Sequence, residues 1–177
     1  MLIAINIPKN ACKETQELAK ELSTIIPYTF ISEEKTDLNI QIIEYNNIRP
    51  YKLIIKDLEG EIEFKIVEYL SKKKLNNNLI ITEDSPQLIV NNFSTSLGGS
   101  VVNWLEKLFP CKIEGRQVVT FQCQNDFIFF RMYRYIFRNE KIDFQNIGPH
   151  LCLRLVKLKN KEEEFVIKKY EKKITIL

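Results

Sequence analysis

Residues 115–158 constrain the fold of this chain more than any other segment. Residues 118–121 form a β-branched and aromatic run, which favours a half-buried pleated strand. Residues 122–126 are polar and predict a turn, after which residues 127–137 return as a second extended segment. In residues 151–156 leucine occupies every second position, which predicts a third strand with one apolar face. The segment therefore predicts a small antiparallel sheet.

Arginines are set among the aromatic rings of the second predicted strand. Because side chains alternate between the faces of a strand, Arg131 is expected on one face and Arg134 and Arg138 on the other. One face has to be core. At least one of these arginines is therefore expected to be structural, either reaching the rim of the sheet or pairing with a carboxylate such as Asp126.

A strand and an amphipathic helix open the chain. Residues 2–7 predict a buried strand, and Asn10 is the predicted N-cap of a helix over residues 11–26, which Pro27 ends. A helix that directly follows a strand indicates an α/β fold. Further short strands are predicted from β-branched or alternating apolar residues, at residues 28–31, 40–45, 51–56, 61–67, 79–82, 88–93 and, as an edge strand, within residues 165–177.

A second helix is predicted over residues 97–108, with Thr95 or Ser96 as its cap. Gly98 and Gly99 lie in its first turn, where each glycine costs about 1 kcal/mol relative to alanine. Either another backbone packs closely there or the exposed N–H groups meet an anion. Close packing is the favoured interpretation, and Trp104 is expected in the core.

The composition is that of a soluble globular chain of 177 residues, 45% hydrophobic and 28% charged. No apolar run reaches the roughly 20 residues that cross a bilayer, and Pro8 and Lys9 follow the first strand, so neither a membrane span nor a secretion signal is expected. The cysteines form no Cys-x-x-Cys pair, which favours a reduced intracellular compartment. They are Cys12, Cys111, Cys123 and Cys152.

The positive charge is concentrated in the last third of the chain. Residues 1–110 contain 12 Lys and Arg against 15 Asp and Glu, a net charge of −3, whereas residues 111–177 contain 14 against 8, a net charge of +6. Such asymmetry is a reason to expect a polyanionic partner, although a solvated basic face would look the same. Guanidinium groups bind phosphates and stack on unpaired bases. The candidate RNA-binding residues are Arg116, Arg131, Arg134, Arg138, Arg154 and Lys157, together with the His150 ring as a stacking surface.

The sequence does not predict an enzyme. The only histidine is His150, and no cysteine or serine beside it forms a known nucleophile motif. There is no phosphate-binding glycine loop and no His-Glu-x-x-His motif, and the acidic triplet at residues 162–164 is interpreted as a surface turn. We therefore expect neither a catalytic residue, a metal nor a cofactor.

Five motifs in this chain resemble those of the Brix domain family. They are GRQVVTF at residues 115–121, DFIFFR with RYIF at 126–137, IGP with LRLVKL at 147–158, LIVNNFSTSLGG at 88–99 and the segment IPKNACKETQELAKEL at 7–22. The resemblance implies one domain over residues 1–177, built from two pseudo-symmetric α/β halves that resemble anticodon-binding domains. The halves would cover residues 1–84 and 85–177, with mixed and antiparallel sheets and few helices.

The resemblance also implies a function in ribosome biogenesis. It implies binding of precursor ribosomal RNA, assembly factors and ribosomal proteins in the nucleolus during maturation of the large subunit, with no small-molecule substrate. The family motif usually has arginine where this chain has His150, so a phosphate contact is expected to be weaker here. A basic segment before the domain and a second helix before residues 40–45 have no counterpart in this sequence, which predicts a shortened domain. A role in the small-subunit processome and a protein scaffold with little RNA contact are the alternatives.

Overall fold

The computed structural model describes residues 2–34, 36–110, 115–139, 141–161 and 163–167. Within these residues the chain forms eleven strands and two helices, and all the strands belong to one mixed sheet. The predicted α/β class with few helices is therefore confirmed. Neither helix is long and apolar enough to span a membrane.

The amino-terminal part of the chain contributes five strands and the first helix. They are β1 (Ile3–Asn6), α1 (Lys13–Ile25), β2 (Thr29–Ile31), β3 (Leu38–Tyr45), β4 (Arg49–Lys56) and β5 (Glu61–Leu70). β4 and β5, at two of the predicted strands, pair as an antiparallel hairpin. The predicted cap at Asn10 is wrong, because Cys12 occupies the N-cap position and its side chain makes no capping bond. Instead, Glu44 on β3 accepts the Cys12 N–H at 2.8 Å, so a tertiary contact anchors this helix end.

The remaining elements are six strands and the second helix. They are β6 (Gln87–Asn91), α2 (Ser96–Leu108), β7 (Gln117–Gln124), β8 (Phe127–Arg138), β9 (Lys141–Asn146), β10 (His150–Lys159) and β11 (Glu164–Val166). No strand was predicted over residues 138–146, so β9 is an element that the sequence pattern did not indicate. β11 pairs with β10 where an edge strand was expected, and residues 168–177 of that prediction lie outside the described residues.

The strand predicted at residues 79–82 does not form. Its backbone groups are bonded by side chains instead of by a neighbouring strand. The Gln117 side chain donates to the Thr82 carbonyl and accepts the Thr82 N–H, both at 3.0 Å. Arg134 donates to the Ile80 carbonyl at 2.5 Å. These contacts hold the segment across the ends of β7 and β8.

The strand order in the sheet is β2-β1-β3-β4-β5-β10-β8-β7-β6, with β9 beside β8 and β11 beside β10. β1 pairs in parallel with β2 and β3, and β6 pairs in parallel with β7, while the other pairs are antiparallel. β7, β8 and β10 form the predicted antiparallel sheet. The β5–β10 pair joins the strands of residues 3–70 to those of residues 87–166.

Both helices pack on the same face of the sheet. A cavity of about 30 Å³ between them and the strands is lined by Leu22 of α1, by Leu105 of α2 and by Phe64 and Phe130 of the sheet. Trp104 is buried in this core, as predicted, with 3% of its surface exposed. We call the opposite side of the sheet the helix-free face.

The two glycines at the start of α2 have different surroundings. Thr95 caps the helix, as predicted, by accepting the Gly98 N–H at 2.9 Å. A Cβ atom at Gly98 would lie 3.1 Å from the backbone of Phe93, which confirms close packing there. A Cβ atom at Gly99 would meet nothing within 4 Å, so packing does not explain this second glycine.

Candidate nucleic-acid interface

β8 carries different side chains on its two faces. On the side of the helices, Ile128, Phe130 and Met132 are buried in the core. This arrangement follows the alternation of side chains along a strand. The alternate residues point to the helix-free face and are only half-buried: Phe127, Phe129, Arg131, Tyr133 and Tyr135.

The Arg131 guanidinium lies across β8 and β10 on the helix-free face. Its Nη1 donates to the carbonyl oxygens of Phe130 at 2.7 Å and Leu151 at 3.2 Å. Its Cζ lies 5.8 Å from the centre of the Phe129 ring. No ion pair among the described residues involves Arg131. The carbonyl bonds fix the guanidinium plane and leave its remaining N–H groups available to an acceptor.

His150 lies at the start of β10, close to Arg131. Its Nε2 accepts a hydrogen bond from Asn146 Nδ2, since an amide nitrogen can only donate. Burial lowers the pKa of His150 below its usual value, the Arg131 charge lowers it further, and the Glu68 charge opposes both. The imidazole is therefore neutral at pH 7 and contributes a ring instead of a positive charge.

Arg154 and Lys157 follow along β10 and differ in their partners. Arg154 is exposed, makes no ion pair with a described residue, and has its Cζ 5.8 Å from the centre of the Phe127 ring. Lys157 donates to Glu61 on β5 at 2.5 Å. This hydrogen bond raises the pKa of Lys157. An incoming phosphate would have to compete with the Glu61 carboxylate for Lys157, whereas Arg154 has no such competitor.

Arg116 and Arg134 belong to a different surface. Both line a cleft of about 560 Å³ at the ends of β7 and β8, together with Thr82 and Asp84. Arg134 follows Met132 on the helix side of β8 and bonds the Ile80 carbonyl. Burial lowers the pKa of Lys72, the Glu21 charge opposes this effect, and the Arg134 charge adds to the lowering. Arg134 therefore combines a structural contact with a concentrated positive charge.

Arg138 ends β8 at the tip of the β8–β9 hairpin, where it is exposed. The seven candidates thus form three groups. Arg131, His150, Arg154 and Lys157 lie on β8 and β10, Arg116 and Arg134 line the cleft, and Arg138 stands apart. The expected pairing of an arginine with Asp126 does not occur, because the two structural arginines bond backbone carbonyls instead.

β9 adds an unpredicted residue, Phe144, to the helix-free face. Phe144 packs against Tyr133 and Tyr135, with ring centres 6.1 Å and 5.2 Å apart. The alternation of Ile142 and Phe144 with polar residues was the available signal. This signal is weak, because the segment is short and mostly polar.

Metal binding and nucleophilic catalysis have less support than nucleic-acid binding. No group of three or more His, Cys, Asp or Glu side chains in the described part of the chain could hold a metal ion. Burial raises the pKa of both Cys123 and Cys152, so neither thiol is activated as a nucleophile. A cleft of about 730 Å³ lies between α2 and β11, and most of its lining is apolar.

The fold is similar to that of a protein of known structure. A crystal structure described as a probable ribosomal biogenesis protein from Aeropyrum pernix K1 superimposes with a TM-score of 0.64 at 12% identity, covering 94% of this chain and 99% of that one. This likeness concerns the fold alone. The family is shown by sequence: residues 4–157 match the model of the Brix domain, and the chain belongs to the Brix domain family.

Curated relatives carry the name ribosome production factor 1. The protein from Danio rerio is 47% identical over 100 residues, which is 51% of this chain and 30% of the relative. The protein from Saccharomyces cerevisiae is 41% identical over 105 residues, or 56% and 36% of the two chains. The protein from Pongo abelii is 35% identical over 163 residues, or 80% and 46%. The chain therefore spans less than half the length of these relatives.

Proposed function

We propose that this protein acts in ribosome biogenesis and binds precursor ribosomal RNA during maturation of the large subunit. Membership of the Brix domain family and the names of the relatives support a role in ribosome production. The observation that supports RNA binding is the lack of carboxylate partners for most of the seven candidate residues. Six make no ion pair with a described carboxylate, and only Lys157 does.

The proposed mechanism is stoichiometric binding without turnover or cofactor. Unpaired guanidinium groups neutralise phosphates of the RNA and can also stack on its bases. The remaining surface contacts assembly factors and ribosomal proteins of the maturing particle. Such a particle assembles in the nucleus and nucleolus, which is therefore the proposed location.

Salt dependence tests the RNA contact. Affinity of the purified protein for a fragment of precursor ribosomal RNA should fall steeply with salt, by about 0.7 to 0.9 in log K per log salt for each neutralised phosphate. Arg131→Gln and Arg154→Gln should each reduce this slope by about one. The exposed Arg49, on β4, provides a matched control as Arg49→Gln. Absence of measurable RNA binding at low salt would contradict the proposal.

Crosslinking distinguishes the large subunit from the small one. The tagged protein is crosslinked in cells, and the bound RNA is sequenced. Recovery of precursors of the large-subunit rRNA supports the proposal, whereas recovery of small-subunit precursors supports the processome alternative.

A protein scaffold is the second candidate. It is favoured by the β8–β9 hairpin, where Phe137 and Ile142 pair across the strands and are 67% and 56% exposed. Exposed apolar patches of this kind mark protein interfaces. In a pure scaffold, Phe137→Ser would remove a protein from the purified particle, and RNA affinity of the isolated chain would be negligible at every salt concentration.

A further inference from the structure

The helix-free face of β7 to β10 combines aromatic rings with arginine and carries no carboxylate. Strand alternation and register define which residues lie on this face. On β8 these are Phe129, Arg131, Tyr133 and every second residue beyond them. On β7, β9 and β10 they are the residues that pair with this set. Between the two charged groups, Arg131 and Arg154, the other residues are aromatic, aliphatic or neutral polar. Carboxylates lie on the neighbouring strand β5, where Glu68 acts on Cys152 and His150 and Glu61 is bonded to Lys157.

The rings follow one another along the helix-free side of β8, and guanidinium groups lie beside them. Arg154 lies over Phe127 at 5.8 Å, and Arg131 lies at the same distance from the Phe129 ring. Phe144 then touches Tyr133 and Tyr135 at the other end. We call this row of Phe127, Phe129, Arg131, Tyr133, Tyr135, Phe144 and Arg154 the aromatic platform.

The chemistry of the platform selects among ligands. Rings on an open sheet can stack on unpaired bases, whereas the bases of a duplex already stack on one another and are not accessible to them. Unpaired arginines without neighbouring carboxylates on their own strands favour a polyanion over a neutral apolar protein segment. His150, which is neutral and lies beside Arg131, adds another ring surface.

We propose that the aromatic platform binds unpaired nucleotides of single-stranded RNA, whose bases stack on Tyr133, Phe144 and Phe129 while Arg131 and Arg154 contact the phosphates. This inference rests on the proposed RNA binding and assigns it to one surface. The cleft that contains Arg116 and Arg134 is then a separate phosphate contact on the other side of the sheet. Because every base has a stacking face, the platform discriminates strandedness more strongly than sequence.

The test compares ring removal with ring retention at an exposed position. Phe144 is 58% exposed, so its substitution leaves the fold intact. Fluorescence anisotropy measures binding of a labelled single-stranded oligouridylate and of a duplex RNA. Phe144→Leu should weaken single-strand binding about fivefold or more, and Phe144→Tyr should preserve it, because only the ring stacks. Arg154→Gln should also weaken this binding and lower its salt slope by about one.

Tyr45→Leu and Arg49→Gln are the matched controls. Tyr45 is 51% exposed and pairs with Arg49 across β3 and β4, away from the platform, so neither variant should change the affinity. If the wild type binds single-stranded RNA and neither Phe144→Leu nor Arg154→Gln weakens this binding, the proposed role of the aromatic platform is wrong. RNA binding would then occur elsewhere on the protein. Equal losses for duplex and single strand would overturn the stacking role. No RNA binding by the wild type would overturn both proposals.

Discussion

At the scale of single residues, partners decide what each candidate can do. Arg131 and Arg154 both lie near aromatic rings, yet Arg131 is held by two carbonyls and Arg154 is exposed. Lys157 has the same charge but is already paired with Glu61. His150 is uncharged because burial and Arg131 both disfavour its protonated form. Residue type alone would rank these four as equivalent.

We expect an NMR titration to give His150 a pKa below its usual value near 6.5. Because its pKa is lower in the folded than in the unfolded protein, the folded state binds fewer protons. The free energy of unfolding should therefore fall as pH drops from about 6.5 through the lower folded pKa. Over the same range the newly charged ring should strengthen RNA binding.

The variant His150→Gln is the control for this prediction. Its side-chain oxygen can still accept from Asn146 and does not titrate, so both pH dependences should be smaller. An NMR pKa at or above 6.5 would contradict the burial of this ring.

Gly148 should be sensitive to the smallest possible side chain. A Cβ atom there would lie 2.5 Å from Met132 Cβ, and Met132 is fully buried. Gly148→Ala should cost about 1–3 kcal/mol of unfolding free energy through overpacking. Gly99→Ala, which meets nothing within 4 Å in α2, should stabilise the protein by about 0.5–1 kcal/mol. Urea denaturation measures both, and equal effects would contradict this account of the two glycines.

At the scale of elements, side chains replace backbone pairing for the segment of residues 79–84. Gln117, which is 1% exposed, bonds Thr82 twice and the Asp84 carbonyl once, each at 3.0 Å. Arg134 adds the bond to Ile80. Gln117 is the first residue of β7 and Arg134 lies on β8, so the segment is tied to the start of β7, next to Arg116, and to the strand that carries Arg131, Arg134 and Arg138.

Gln117→Leu should release this segment. The change leaves three backbone groups without their partner, so we expect a loss of about 1–3 kcal/mol in unfolding free energy. Hydrogen exchange of the Thr82 amide should accelerate more than that of amides in β8. Gln122→Leu, at an exposed position of the same strand, should leave Thr82 unchanged. Unaltered Thr82 exchange in Gln117→Leu would show that other contacts hold the segment.

At the scale of the whole molecule, one sheet and one core connect both parts of the chain. β5 and β10 pair along almost their full lengths, and the core cluster contains side chains from both helices. Each part of the chain begins with a strand–helix–strand unit whose two strands are parallel. These units are β1-α1-β2 and β6-α2-β7. The repetition supports the proposal of two α/β halves with a boundary near residue 84.

We therefore expect a single cooperative unfolding transition in urea. Trp104 is the only tryptophan and lies in α2, so its fluorescence reports the second half, while far-UV circular dichroism reports the whole sheet. The two curves should coincide, because breaking the β5–β10 pair exposes the core of both halves. Separate transitions would show that the halves are stable independently.

The strands and helices with strong periodicity and the membership of the Brix family could be predicted from the residues alone. The alternation in residues 127–137 separated Arg131 from Arg134 and Arg138, because a strand turns successive side chains to opposite faces. The capping of α2 by Thr95 and the burial of Trp104 followed from local chemistry in the same way.

Tertiary structure alone decided which face is core, because this depends on where α1 and α2 pack and no local pattern specifies it. It also decided that Glu44 and not Asn10 anchors α1, that β9 pairs with β8 and brings Phe144 to Tyr133, and that Lys157 is neutralised by Glu61. Each of these contacts joins residues that are not adjacent in the chain. Periodicity and composition describe a segment with its immediate neighbours, and so they cannot identify such partners.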